Sequence, residues 1–166
     1  HYTCKDGNIF SSVGECQETC SECVEVDRDE LFLSTSNGLK RVDLSNNTVS
    51  MVSSRVCRNL EIFEESLFCM DRGIYKINIL TGENKFERIL TDQNLRSFEV
   101  CGHYLWINLI DRARLFDLNS GQSWYYNRND GIQGSEIYSI GCDDEWVWFL
   151  DSEGMSMYNW RKYHAQ

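Results

Sequence analysis

The same short pattern occurs four times along this chain, and it constrains the fold more than any other feature. Each copy opens with a short apolar run, and the four runs begin at Leu31, Leu67, Leu105 and Val147. The copies are therefore 36, 38 and 42 residues apart, a spacing typical of solenoid and propeller repeats. The sequence thus predicts one supersecondary unit that is used four times.

Each copy is predicted to contain four short antiparallel strands. The apolar run is too short for a helix and is bounded by acidic or glycine turn residues, which indicates a buried central strand. An alternating stretch precedes it, and a third strand follows Gly38, Gly73 or Gly154, where a positive φ is expected. The third copy has Arg112 at this position, so its turn should differ. Outer strands are predicted at residues 48–52, 86–90 and 123–126.

Four hairpin-linked strands per unit are typical of a propeller blade. The repeats resemble the propeller repeats of sensor domains in bacterial two-component regulators, whose blades run as acidic turn, Leu-Trp, small residues, Gly-Leu, Tyr and Asp. The resemblance covers residues 24–160 and concerns architecture, with almost no information on function. We therefore predict an all-β fold, a four-bladed β-propeller at residues 24–166 after a short cysteine-rich N-terminal arm at residues 1–23. Strand content should exceed about 40 %, with little helix.

Composition narrows the classes of partner. A hydrophobic content of 42 % over 166 residues is enough to bury a core. The 26 acidic and 16 basic residues give a net charge of -10, the wrong sign for a phosphate backbone, so nucleic acid is not expected as a partner. No stretch approaches the roughly 20 apolar residues of a membrane span, and the start at His1 is read as a processed or trimmed chain.

The eight cysteines form an even set that is dense for a chain of this size, which favours disulfides and a secreted, extracellular protein. Cys101 and Cys142 occupy matching positions in adjacent repeats and are predicted to be bridged. Cys69 should point inward, as a buried apolar residue or as half of a bridge. The arm spacing also permits a tetrahedral zinc site as the alternative to disulfides. The eight are Cys4, Cys16, Cys20, Cys23, Cys57, Cys69, Cys101 and Cys142.

One sequon, Asn46-Asn47-Thr48, falls on the predicted turn between the third and fourth strands of the first blade. Such a turn is exposed, so Asn46 is a predicted glycosylation site if the source is eukaryotic.

The sequence offers no positive case for an enzyme. Its only imidazoles are His1, His103 and His164, and His103 is read as a surface turn residue rather than a member of a nucleophilic triad. No phosphate loop, zincin motif or dinucleotide fingerprint occurs, so no cofactor is expected.

The predicted turns between second and third strands contain Asp71, Asp111 and Asp151. In a closed propeller these turns would line one face, where converging carboxylates could bind Ca²⁺ or another cation. The alternative is a solvated turn with local Asp–Arg pairing. Several aromatic residues are not placed by the repeat and can pack between blades, stack on sugars or fill a protein interface: Trp124, Tyr125, Tyr126, Trp160 and Tyr163.

We therefore expect a secreted, disulfide-bonded propeller that acts as a binding or structural module for a protein or glycan partner. One alternative is a self-assembling extracellular filament subunit joined through its N-terminal arm; another is a carbohydrate-acting enzyme that uses the rim carboxylates. Few residues follow Trp160, so Ile9 and Phe10 are predicted to complete the outer edge of the fourth blade, in the same chain or in a neighbour.

Overall fold

The computed structural model describes residues 2–3, 9–10, 24–27, 29–81, 84–92 and 94–164, with side chains described from residue 29 onward. It contains 53 % strand and 5 % helix, which confirms the prediction of a mainly β structure. The chain divides into two compact units, His1–Arg88 and Ile89–Gln166. Within the described residues, no helix is long and apolar enough to cross a membrane.

The first unit contains two four-stranded antiparallel sheets, each built from one repeat, together with a short hairpin. The hairpin is β1 (Tyr2–Thr3) and β2 (Ile9–Phe10). The first sheet is β3 (Val24–Asp27), β4 (Glu30–Thr35), β5 (Gly38–Asp43) and β6 (Thr48–Ser53). The second sheet is β7 (Leu60–Phe63), β8 (Ser66–Met70), β9 (Ile74–Asn78) and β10 (Glu87–Leu90), and the boundary between the two units falls inside β10.

The second unit contains the remaining two sheets, and each again pairs consecutive strands. The third sheet is β11 (Ser97–Cys101), β12 (Tyr104–Asn108), β13 (Ala113–Asp117) and β14 (Ser123–Tyr126). The fourth sheet is β15 (Ile137–Cys142), β16 (Val147–Asp151) and β17 (Gly154–Tyr158), and it has three strands in the described part of the chain. A short helix, α1 (Arg161–His164), follows β17.

The Asp or Asn that ends the third strand of each repeat holds the turn that follows. Asp43 Oδ1 accepts a 2.9 Å hydrogen bond from the amide of Ser45, and Asn78 Oδ1 accepts one of 2.9 Å from the amide of Leu80. Asp117 does the same for Asn119 at 2.8 Å, and Asn159 accepts a 3.0 Å bond from Lys162 in α1. The repeated polar residue is therefore explained by turn chemistry, because Asx side chains bond backbone two or three residues onward.

The glycine positions of the repeat behave only in part as expected. Gly38 and Gly154 have φ values of 122° and 144°, as predicted. Gly73 does not have a positive φ, and its neighbour Arg72 takes the left-handed conformation at 47° instead. In the third repeat the left-handed residue is Ile110, at 70°. The glycine prediction was thus wrong at Gly73, where the preceding residue takes the left-handed conformation.

The central strands of the second and third repeats are more fully buried than those of the first and fourth repeats. All five residues of β8 and all five of β12 are buried, so both faces of these central strands are covered. In β4 the buried aromatic is Phe32, and in β16 it is Phe149, which lies on the opposite face in the repeat alignment. The first and fourth sheets therefore each bury one face and leave the other more open.

Candidate binding surfaces

The open face of the fourth sheet is apolar. Met155 and Met157 of β17 are 63 % and 53 % exposed. Cross-strand pairing places Leu150 opposite Met155 and Trp148 opposite Met157, so the four side chains share one face. Leu150 is also exposed, and Trp148 is half-buried. We call Trp148, Leu150, Met155 and Met157 the fourth-sheet apolar face.

β17 is also an unpaired edge within the described residues. The other three repeats each contribute a fourth strand, whereas the chain after β17 forms α1 instead. An edge strand presents unpaired amide and carbonyl groups that can accept an added strand. Here the apolar side chains and the free edge occur on the same strand.

The first sheet has a comparable surface. Val49 and Met51 of β6 are 62 % and 51 % exposed. They pair with Val42 and Lys40 of β5, so the aliphatic residues Val42, Val49 and Met51 lie on one face. We call these three residues the first-sheet apolar face.

Helix α1 is held against the third and fourth sheets by an aromatic cluster around His164. The ring of Trp124 lies 4.8 Å from the imidazole of His164, edge to face, and the hydroxyl of Tyr126 contacts Nε2 of His164. Tyr158 stacks on Tyr163 with the ring planes 13° apart. Trp160 is buried, and its indole N–H donates a 3.0 Å hydrogen bond to the carbonyl of Asp143. Four of the five unplaced aromatics are thus packing residues in this cluster, and Tyr125 is not.

Burial shifts two groups of this cluster in opposite directions. Desolvation raises the pKa of Tyr126 far above its usual range, and the hydrogen bond with Tyr158 raises it further. Burial lowers the pKa of His164, because a partly buried imidazole is harder to protonate. The phenol is therefore neutral and can donate to an unprotonated Nε2. Sequence analysis assigns His164 no role beyond its position near an end, because its contacts arise only in the folded structure.

The predicted cation site is not supported. Within the described residues, no group of three or more His, Cys, Asp or Glu side chains could hold a metal ion. Asp71 forms a 3.0 Å ion pair with Arg55, and Asp111 lies 3.9 Å from its neighbour Arg112. The Asp111 contact matches the alternative of local Asp–Arg pairing, whereas Asp71 pairs with an arginine 16 residues away in sequence.

Asp151 is buried and its carboxylate is fully used inside the protein. Its Oδ1 accepts hydrogen bonds from the amides of Glu153 and Gly154 at 2.9 and 3.1 Å, and its Oδ2 accepts one from the hydroxyl of Ser156 at 3.3 Å. Burial alone would raise the pKa of Asp151, but the backbone bonds, including one from Gly134, lower it overall. Asp151 therefore fixes the β16–β17 turn.

Four of the eight cysteines are resolved as two disulfides. Cys101 and Cys142 are bridged, with their Cα atoms 6.3 Å apart, which confirms the predicted pair. Cys57 and Cys69 form the second bridge, with a Cα separation of 5.4 Å, so Cys69 takes the bridged alternative. Cys4, Cys16, Cys20 and Cys23 lie outside the described residues.

The structure also shows the positions of the predicted glycosylation site and of the two residues predicted to complete the fourth blade. Asn46 is exposed in the β5–β6 turn, as predicted; its Nδ2 donates to Asp43 Oδ2 at 2.8 Å and its Oδ1 accepts from the amide of Thr48 at 2.9 Å. Ile9 and Phe10 form β2 and pair with Thr3 and Tyr2 of β1. Among the described residues β2 belongs to this hairpin and not to the fourth sheet, and completion of a fourth sheet by this region, in the same chain or in a neighbour, stays a prediction.

Comparison with solved structures identifies the fold. The chain superposes on the N-terminal domain of Nup159 with a TM-score of 0.65 and 7 % identity, over 82 % of this chain and 40 % of that one. It matches an extracellular domain of a one-component system from B. thetaiotaomicron at 0.65 and 19 % identity, over 82 % of this chain and 20 % of that chain. It matches BamB from Moraxella catarrhalis at 0.60 and 16 % identity, over 82 % and 44 %. These neighbours are propeller proteins, so the chain has a β-propeller fold of four repeats, as predicted.

The chain matches only part of each natural neighbour, so these comparisons establish the fold and not a function. The chain spans between a fifth and a half of the natural neighbours, but it matches the computationally designed Ika4 protein over 88 % of that chain, with a TM-score of 0.61 and 14 % identity. No family model matches the sequence, and no curated protein matches it. The two disulfides are typical of proteins in an oxidising compartment.

Proposed function

We propose that the chain is a secreted β-propeller module, without catalytic activity, that binds a protein partner through the fourth-sheet apolar face. One observation carries this proposal: Leu150, Met155 and Met157 are exposed together on one face, which ends in a strand that no other described strand pairs with at its outer edge. Soluble proteins rarely expose contiguous apolar patches without an interaction to cover them. Methionine-rich surfaces adapt to the shape of a partner, and a free edge can add backbone hydrogen bonds.

A sheet face that is open to water is normally polar, which keeps a protein soluble. Here the first and fourth repeats carry exposed valine and methionine instead. The engagement of Asp71 with Arg55 and of Asp151 with backbone amides argues against general acid–base chemistry by these carboxylates. Binding therefore accounts for the exposed residues better than hydrolysis does.

The second candidate is self-assembly, and the first-sheet apolar face favours it. A chain with an apolar face on its first sheet and another on its fourth sheet offers two different surfaces for a head-to-tail contact between copies. Such heterologous contacts do not close and give linear polymers. The exposed Val49 and Met51 in the first sheet are the observation that distinguishes this candidate from binding of an unrelated protein.

Substitution of single exposed methionines tests both candidates. Met155→Lys should abolish binding at the fourth-sheet apolar face, while Gln122→Lys, which adds the same charge at an exposed turn, should have no effect. For self-assembly, light scattering and electron microscopy of the unmodified chain should show larger species as concentration rises. Met51→Lys and Met155→Lys should each be monomeric alone, and their equimolar mixture should form a dimer through the two intact faces.

The outcomes separate the two candidates. If the unmodified chain is a monomer at every concentration and Met51→Lys behaves in the same way, self-assembly is contradicted. Binding of another protein at the fourth-sheet apolar face is then tested by cross-linking the chain to extracellular proteins. If Met155→Lys and Gln122→Lys retain the same partners in that experiment, the proposed function is wrong.

A further inference from the structure

We propose that the outer part of the third sheet is a binding site for an acidic polysaccharide, centred on Arg114 and Tyr125. This site is on a different sheet from the fourth-sheet apolar face and does not depend on it. The net charge of -10 does not attract an acidic polymer to the chain as a whole, so recognition depends on cations that are placed locally. The inference starts from one arginine whose position is fixed but whose charge is not neutralised.

Arg114 is held in place by neutral groups. Its Nε and Nη2 donate hydrogen bonds of 3.1 and 2.9 Å to the hydroxyl of Ser123. Its guanidinium carbon lies 5.4 Å from the ring centre of Phe116 and 5.6 Å from that of Tyr125. Among the described residues, no carboxylate is within ion-pair distance of Arg114. Most described arginines likewise form no ion pair; what distinguishes Arg114 is that Ser123 and two aromatic rings fix its guanidinium in place.

A second cation is placed beside the same ring. The guanidinium carbon of Arg112 lies 5.4 Å from the ring centre of Tyr125. Arg112 and Arg114 are two residues apart along the chain, and Tyr125 is the cross-strand partner of Arg114, so the three side chains come together at the β13–β14 edge. In the described part of the chain, the one carboxylate within ion-pair distance of Arg112 is that of the exposed Asp111, at 3.9 Å, a contact that contributes little in water.

The arginines suit the acidic group of a charged sugar, and the exposed tyrosine ring suits the sugar ring itself. The Nη1 group of Arg114 has no protein acceptor among the described residues, and a fixed guanidinium is suited to two-point contact with an oxyanion. Tyr125 is 49 % exposed, and its ring offers an apolar surface, with a polar hydroxyl at its end, against which a sugar ring can pack. An acidic peptide would use the arginines but would gain nothing specific from the exposed ring. The geometry therefore favours a uronic or sulfated saccharide over a peptide.

The test measures binding of the full chain to four probes by titration calorimetry: polygalacturonate, dextran sulfate, neutral dextran and polyglutamate. We expect binding to polygalacturonate, to dextran sulfate or to both, and these two arms identify the carboxylate or the sulfate as the recognised group. Arg114→Gln and Tyr125→Ala should each weaken that binding about tenfold or more, and Tyr125→Phe, which keeps the ring, should retain it.

The matched control is Arg88→Gln, which removes an exposed arginine from the outer strand of the second sheet and should leave binding unchanged. Circular dichroism verifies that each variant is folded. If Arg114→Gln does not fold, the binding of Tyr125→Ala tests the proposal instead. Three results would overturn the proposal: no binding to either acidic polysaccharide, equal weakening by Arg88→Gln, or polyglutamate binding as tight as that of the acidic sugars.

Discussion

The hydroxyl of Tyr104 donates a 2.7 Å hydrogen bond to the main-chain carbonyl of His164, sixty residues further along the chain. Tyr104 is buried in β12, and His164 ends α1. The ring of Tyr104 also lies 5.3 Å from that of Trp160, edge to face. One side chain of the third sheet thus holds both ends of the segment that follows β17.

Removal of this hydroxyl should loosen α1. We expect Tyr104→Phe to lower the free energy of unfolding by about 1 kcal/mol, because it deletes a neutral hydrogen bond and leaves a carbonyl without its donor. Urea denaturation followed by tryptophan fluorescence measures the change, since Trp124 and Trp160 lie in the same cluster. Tyr138→Phe is the control, because Tyr138 is exposed and its hydroxyl should contribute little. Equal effects of the two substitutions would contradict this role for Tyr104.

The contacts of His164 should make α1 sensitive to acid. Burial lowers the pKa of His164 in the folded protein below its ordinary value of 6.5, so the unfolded chain binds a proton more readily. The stabilisation is complete above the unfolded pKa and is lost as pH falls through about 6.5 toward the folded value. Protonation also removes the Nε2 lone pair that accepts from Tyr126. The urea concentration at the midpoint of unfolding should therefore decrease as the pH is lowered from 7.5 to 5. The His164→Phe variant should lose most of this pH dependence. A parallel decline in both proteins would assign the effect to other groups.

The sequence predicts those features of the fold that leave a local or repeated pattern in the chain. The strands were predictable because each repeat gives its own apolar run and turn residues; the predicted outer strand at residues 123–126 matches β14 in full. The Cys101–Cys142 bridge was predictable because equivalent positions of adjacent repeats lie close together. The glycine pattern fails in the second and third repeats, where Arg72 and Ile110 take the left-handed conformation instead of the aligned position.

The candidate surfaces were not predictable, for a physical reason. Met155 and Met157 have the same hydrophobic character as core residues, and only the absence of a covering strand in the described fourth sheet makes them surface residues. Arg114 and Tyr125 are neighbours only through strand pairing. Ile9 and Phe10 satisfied the sequence requirement for an outer strand, but a nearby segment competes for their hydrogen bonds at a much smaller loop-closure cost.

The two disulfides should contribute unequally to stability. Cys101 and Cys142 are separated by 41 residues, and Cys57 and Cys69 by 12. Because a longer closed loop restricts the unfolded chain more, the chain-entropy model gives about 4 kcal/mol for the first bridge and about 3 kcal/mol for the second. Urea unfolding of the double variants C101A/C142A and C57A/C69A compares them directly. A larger loss in C57A/C69A would show that burial of the second bridge, rather than loop length, dominates.

Asn46 should carry a glycan when the chain is made in a eukaryotic secretory host. The side chain is exposed in a turn, and only the hydrogen bond of Nδ2 to Asp43 must be given up. Peptide mass spectrometry should find a glycan mass on the peptide that contains Asn46, and Asn46→Gln should remove it. Thr48→Ala is the matched variant, because it destroys the sequon while keeping Asn46. An unmodified Asn46 in secreted material would contradict the prediction.

Gly38 is the position at which a single methyl group should cost the most. Its φ of 122° is a conformation that other residues rarely adopt, and an added Cβ would lie 2.2 Å from the carbonyl oxygen of Ser53 and 2.8 Å from the Cα of Ser54. Both obstacles are backbone atoms, so neither can move aside as a side chain would. We expect Gly38→Ala to destabilise the protein by about 2 kcal/mol or more, since strain at such a φ alone costs roughly 1–3 kcal/mol. Gly141→Ala in β15 is the control, because no atom lies within 4 Å of its added Cβ, and it should change stability little or raise it slightly. Thermal unfolding of the two variants gives the comparison, and a Gly38→Ala melting temperature equal to that of the unmodified chain would refute the strained β4–β5 turn.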